Sequence, residues 1–232
     1  MSLAVRYIDA WNASGAARVQ KPVYVDCNAV NPRTIKSIAA RFDGSGARFV
    51  DASIIGGPPR KDYFPTFYAS ADAPNTPALD EFEALMRYGM KVSTLRGEGT
   101  AVGDASALKM SYAGITKGIT GLFTAMVLAA NSTSPATANA LLHELNFSQP
   151  TLLRRATHSI PDMLPKAYRW IDEMDEISEF VGGPMADVHK GMANVFARVR
   201  DSIAGDEEDM KVLEKFAKDA KDILERPNDQ KS

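Results

Sequence analysis

The sequence predicts an α/β region followed by an all-helical region, and three observations carry that prediction. Up to about residue 100, short β-branched runs alternate with helical patterns, the order of βαβ units rather than of hairpins. Beyond Gly103 the strand-like runs vanish, and apolar residues recur three and four apart. Between the two lie Gly97, Gly99 and Gly103, whose spacing reads as a boundary. The division that follows is 1–102 for a partial parallel-sheet domain and 103–232 for a helical-bundle domain.

The elements follow in chain order. Val23, Tyr24 and Val25 form a short apolar strand ended by Asp26. Asn31 is a plausible N-cap with Pro32 at the first helical position, and Ile35, Ile38, Ala39 and Phe42 make a stripe closed by Asp43 and Gly44. A strand from Arg48 to Ser53 runs into Gly56, Gly57, Pro58 and Pro59. Thr66 to Ser70, a helix near Leu79 to Tyr88, and Lys91 to Leu95 repeat the pattern. If the strands are parallel, right-handed connections are required.

A long helix is expected from Ala105 to Ala130, with Leu108, Ile115, Ile119, Leu122, Phe123 and Met126 along one side. Shorter helices are expected over Pro135 to Leu145 and Leu152 to His158, then a stretch from Pro161 to Val181. Gly182 and Gly183 end it, Pro184 opens the next helix, and an amphipathic helix from Glu207 to Leu224 closes the chain before a frayed tail, RPNDQKS.

Composition narrows the function classes. A chain of 232 residues with 45% apolar side chains is long enough for real cores. The 27 basic and 29 acidic residues leave a net charge of −2, so no strong positive field draws nucleic acid or anionic lipid. Cys27 is the single cysteine, which excludes an internal disulfide and fits a reducing compartment. No uninterrupted apolar run approaches the roughly 20 residues that cross a bilayer, and the first residues lack a signal peptide's basic and apolar regions. The expectation is a soluble, cytoplasmic protein without a membrane or nucleic-acid partner.

Two places hold chemistry. Gly56 and Gly57 follow a strand directly, so backbone N–H groups there can approach a carboxylate with no Cβ in the way; the simpler reading is a tight turn. Lys109 lies in the second turn of the long helix, on a polar strip with Ser106, Tyr112, Thr116 and Thr120. Partial burial lowers a lysine's pKa toward the range of acid–base work, whereas a lysine that snorkels to water is the simpler reading. His143, His158 and His189 are scattered without metal-ligand spacing, so no metal is expected. Cys27 lacks a basic neighbour in sequence and reads as a buried, inert thiol. Glu173, Asp175, Glu176 and Glu179 read as a solvated helix face that pairs with Arg169.

The segment from Val23 to Lys117 resembles the β-hydroxyacid dehydrogenase superfamily, which includes 6-phosphogluconate and 3-hydroxyisobutyrate dehydrogenases. Asp51-Ala52-Ser53-Ile54-Ile55-Gly56-Gly57 looks like its substrate-binding D-A-P-V-S-G-G element, and Gly103 to Lys109 like its G-x-G-x-x-x-K element. Lys166 to Trp170 and Glu173 to Ile177 are similar to a phosphogluconate-dehydrogenase-like branch with its own helical C-terminal domain. The resemblance implies a partial Rossmann-like sheet and hydride transfer from a hydroxyl-bearing carbon to NAD or NADP. In that chemistry Lys109 takes the hydroxyl proton, Ser53, Gly56, Gly57 and Tyr112 touch the hydroxy-acid substrate, and Asn28 borders the nicotinamide. It also implies a homodimer.

The sequence departs from the superfamily at several positions. Ile55 stands where the substrate serine is expected, so a hydrogen bond is lost unless Ser53 supplies it; Ala105 replaces a glycine, and Ala113 an asparagine. No G-x-G-x-x-G turn precedes Val23, although the superfamily's pyrophosphate seat is such a turn. We therefore expect a chain lacking the first half of the nucleotide domain. Two functions stay open: an NAD(P)-dependent oxidoreductase of a β-hydroxy or sugar acid, inactive or active only in a longer form, and a cofactor-free helical interaction module.

Overall fold

The computed structural model describes residues 2–14 and 21–226; the expected tail after Arg226 lies outside the described residues. Contacts divide the chain into two compact units, Met1–Tyr112 and Ala113–Ser232. The division falls inside the long helix, whose opening turns pack with the sheet rather than with the bundle.

The first unit begins with helix α1 (Ser2–Ala13), ahead of the first expected strand. Its Ala4 and Ile8 join Ile35, Ile38, Phe42 and Phe49 in one buried cluster, and the indole N–H of Trp11 donates to the carbonyl of Ser45 at 2.7 Å. Tyr24 stacks on Phe49 at 5.9 Å and tilts against Phe42 at 4.8 Å. Strand β1 (Val23–Asp26) leads into α2 (Pro32–Ala39), where Asn31 caps the helix by accepting from the Thr34 N–H and Pro32 stands in the first turn. Ile35 and Ile38 are buried, each contributing about 1.5–3 kcal/mol of transfer free energy.

Strands β2 (Arg48–Ile55), β3 (Thr66–Ser70) and β4 (Lys91–Thr94) complete a sheet in the order β1-β2-β3-β4. The pairs β1–β2 and β3–β4 are parallel, as expected, but β2 and β3 are antiparallel, so the sheet is mixed. The reason is the link. Residues 56–65 contain no helix and fold back through an Arg60–Tyr63 bridge, whereas a parallel crossover needs about a dozen residues or more, usually helical. The helix α3 (Thr76–Glu83), with a 3-10 continuation to Tyr88, makes the β3–β4 crossover.

Strand alternation gives the sheet two different faces. Val50 and Ala52 pack with Leu79 and Phe82 of α3, while Phe49 joins the α1–α2 cluster on the opposite face. Asp51 and Ser53 share that opposite face by the same alternation.

The second unit is helical. It takes up the rest of α4 (Asp104–Thr133) and adds α5 (Pro135–Ser148), α6 (Pro150–Met163), α7 (Ala167–Val181), α8 (Ala186–Ala204) and α9 (Glu208–Glu225). Helix α6 runs through Pro161, where a break was expected, and the chain tightens instead at Leu164–Lys166; Ile160 and Met163 are fully buried, so packing holds the helical path. Pro184 sits in a 3-10 turn ahead of α8.

Helix α4 is packed on a side unlike its most apolar one. Ile115, Leu122 and Met126 are 65%, 52% and 51% exposed, while Gly114, Thr120, Gly121 and Thr124 are buried. A Cβ on Gly121 would lie 2.6 Å from the Met192 sulfur, and one on Gly114 would lie 3.0 Å from His189 Nε2, so small residues let α8 approach closely. The buried hydroxyls are satisfied within the helix: Thr120 donates to the Thr116 carbonyl at 3.2 Å and Thr124 to the Thr120 carbonyl at 2.9 Å. Beside them Lys117 pairs with Glu173 and lies over the Trp170 ring at 5.2 Å.

By length and composition α4 is also long and apolar enough to cross a bilayer, although lysines and threonines interrupt its apolar runs. The central helix of a helical bundle has the same length and composition.

Candidate functional site

The site is built around the start of α4. Asp51, fully buried on β2, turns its carboxylate onto the first N–H groups of that helix. One oxygen accepts from Gly103 N–H at 3.0 Å, from Ser106 N–H at 3.1 Å and from the Ser70 hydroxyl at 3.3 Å; the other accepts from the Ser106 hydroxyl at 2.8 Å. Ser70 in turn accepts from Ala105 N–H at 3.1 Å. The sheet therefore caps the helix in place of a local residue, and the helix dipole favours the carboxylate. Burial nonetheless pushes the Asp51 carboxyl above its usual range, against the pull of the hydrogen bonds from Ser106, Gly103 and Ser70.

Gly103 needs to be glycine. Its φ is +108°, and its N–H is the one given to Asp51. Ala105, in the first turn of α4, is fully buried.

Lys109 lies one turn beyond Ser106 and is half-buried. Burial lowers the pKa of its ammonium, and the neighbouring Cys27 thiol acts in the opposite direction. Cys27, just past β1, is exposed rather than buried as expected, because it lies beyond the strand's end; partial desolvation still raises its pKa, with Asp26 adding to the effect and Lys109 opposing it. The basic group whose charge reaches Cys27 comes from α4, which sequence order alone does not show. The ends of parallel strands are where ligands of open α/β sheets bind, and here Lys109 borders that end of β1.

The other expected residues are distributed as follows. Asn28 is exposed and turned back on Asp26, whose carboxylate accepts from its backbone N–H at 2.9 Å and from its side-chain amide at 2.7 Å. Ser53 is fully buried, with no hydrogen-bond partner for its hydroxyl among the described residues. Tyr112 is 51% exposed, three residues along α4 from Lys109. Gly56 and Gly57 are exposed and line an apolar groove of about 560 Å³ with Ile54, Pro58, Phe64 and Tyr88. That groove opens on the Ala52 and Ile54 face of β2, and neither Lys109 nor Tyr112 lines it. The polar strip read along α4 resolves into separate jobs, because Ser106 binds Asp51 while Thr116 and Thr120 bond to helix carbonyls.

A dinucleotide's pyrophosphate requires free helix-end N–H groups beside a glycine turn. The turn from β1 to α2 holds no glycine, and Asn31 already accepts from the Thr34 N–H at 3.0 Å. The N–H groups opening α4 go to Asp51 and Ser70. The described residues at these two helix starts do not fit a pyrophosphate. Among the described residues no three His, Cys, Asp or Glu side chains converge as metal ligands.

Comparison with known proteins adds the following. A family model described as a domain of unknown function, DUF1932, matches residues 133–199. Among solved structures, the conserved protein MTH1747 of unknown function, described as structurally similar to 3-hydroxyacid dehydrogenases, is 25% identical with a TM-score of 0.63; the match covers 85% of this chain and 72% of that one. A conserved hypothetical protein from Sinorhizobium meliloti 1021 shares the fold at 17% identity and a TM-score of 0.68, over 92% of this chain and 72% of its own. No curated protein matches significantly in sequence. These likenesses show the fold, a partial Rossmann-like sheet combined with a helical domain.

Proposed function

We propose that the chain holds the hydroxy acid, and takes its proton, in a dehydrogenase-like oxidoreductase acting on a β-hydroxy or sugar acid. The observation that carries this reading is the half-buried amine of Lys109, fixed one turn beyond the Asp51–Ser106 bond and beside the end of β1. A lysine whose charged form is disfavoured spends more time neutral, and a neutral amine accepts the hydroxyl proton as the carbon is oxidised. By the superfamily's pattern the backbone of Gly56 and Gly57 cradles the acid. NAD or NADP is the hydride acceptor in this superfamily's chemistry. Because its pyrophosphate does not fit the helix starts described above, the role derived for this chain is confined to acid and proton. The single exposed cysteine suits a reducing cytoplasm.

The test is binding of 3-hydroxypropionate and 3-hydroxyisobutyrate by the full chain across about pH 6 to 10, comparing the wild type with Lys109→Ala. An affinity that falls as the Lys109 ammonium loses its proton, and a flat profile in the variant, is expected; identical profiles remove Lys109 from the site.

A second reading, an interaction module, is favoured by one observation: Ile115, Leu122 and Met126 stand exposed along one side of α4. Such a stripe suits a second copy of the chain, and pairing of this kind is compatible with either function. Absence of turnover and of hydroxy-acid binding, together with a stable dimer, favours the module.

A further inference from the structure

Cradling a carboxylate at the Gly56–Gly57 bend calls for a hydroxyl donor as well as backbone N–H groups, and the end of β2 offers none within reach. Ile55 is apolar, and Ser53 is 0% exposed. The hydroxyl that does stand at the bend comes from the link to β3. Tyr63 exchanges two backbone hydrogen bonds with Arg60, at 2.8 and 3.1 Å, which closes a small turn and returns the phenol to the glycines. There the phenol oxygen accepts the Gly57 N–H at 3.2 Å. Gly56 has a φ of +129°, and a Cβ on it would overlap the same oxygen, so glycine is what lets the tyrosine reach the backbone.

An oxygen that accepts from Gly57 keeps its own O–H free to donate, and no acceptor for it is found among the described residues. Tyr63 is 45% exposed, so that proton faces solvent where a ligand arrives. The same turn carries Arg60 and Lys61 against Asp62, a balance that suits an anion.

We propose that Tyr63 is a substrate-recognition residue, whose phenol O–H, oriented by the Gly57 N–H, donates to the ligand's carboxylate at the Gly56–Gly57 bend. The inference rests on the bend being the acid's cradle. No bond is made or broken; the phenol supplies the hydroxyl that position 55 does not.

The experiment titrates 3-hydroxypropionate into the full chain labelled with ¹⁵N, following the amide signals of Gly56 and Gly57 in wild type and Tyr63→Phe. Loss of a hydrogen bond to a charged acceptor is expected to weaken binding about tenfold, with the melting temperature essentially unchanged. Equal affinity in the variant overturns the inference and leaves the cradle standing, because Tyr63 then merely pins the turn. Tighter binding in the variant also overturns it, since the phenol would then compete with the acid. If the bend signals of the wild type do not respond to the acid, both the cradle and the role of Tyr63 fall together.

Discussion

The carboxylate of Asp51 and the hydroxyl of Ser106 meet at 2.8 Å in an interior where the first residue is 0% and the second 1% exposed. That bond joins the middle of the sheet to the opening of α4, and so sets where Lys109 can stand one turn later.

Replacing Asp51 with alanine leaves the Gly103 and Ser106 N–H groups and the Ser106 hydroxyl without their acceptor in the interior. A loss of about 3–4 kcal/mol in urea unfolding is expected, with a smaller loss for Asp51→Asn, which keeps one acceptor oxygen. A loss below about 1 kcal/mol would falsify the capping role.

Lys109 has the opposite effect on stability. Its folded pKa lies below the ordinary 10.5, so between the lowered value and 10.5 the unfolded chain binds more protons than the folded one. Stability therefore rises with pH across that window, and at neutral pH the buried charge is a cost. Lys109→Met should be more stable than wild type near pH 7, and the margin should narrow as pH approaches 10.5 in a series of thermal melts. A margin that does not change with pH contradicts the burial of the charge.

Close packing of α4 on α8 depends on Gly121. Adding a single methyl brings a contact with the flexible Met192 side chain, which can move aside, so Gly121→Ala should cost under about 1 kcal/mol; Gly121→Val, also against Phe196, should cost about 2–3. Denaturant midpoints of the two variants check the ordering. Equal midpoints mean that the helices do not meet there.

The exposed side of α4 predicts assembly. With Leu122→Lys and Met126→Lys introduced together, we expect a dimer to become a monomer in sedimentation, with the helical signal of each chain preserved. A wild-type chain that already sediments as a monomer at micromolar concentration sinks the proposal.

Much of the architecture was legible because local signals agreed with the fold. Asn31 and Pro32 open α2 as caps do, Gly182 and Gly183 follow α7 with positive φ, and Leu213, Phe216, Ala217 and Ala220 of α9 are buried as their spacing predicts. The antiparallel turn between β2 and β3 was less legible, since a short link is a statement about reach rather than about propensity. The exposed stripe of α4 was hidden for a different reason: periodicity shows that apolar residues share a side, but a neighbouring helix chose the side with glycines and threonines, which permits closer approach.

The sequence by itself determined that an α/β layer precedes helices, that a lysine sits in the second turn of the long helix, and that a glycine pair ends a strand. Only the tertiary structure decided what these groups face. Asp51 became the cap of α4, Cys27 became the neighbour of Lys109, Ser53 was closed off, and Tyr63 took its place at the Gly57 N–H. Hydrogen-bond partners and desolvation are set by groups far apart in the chain, and no local pattern encodes the distance between them.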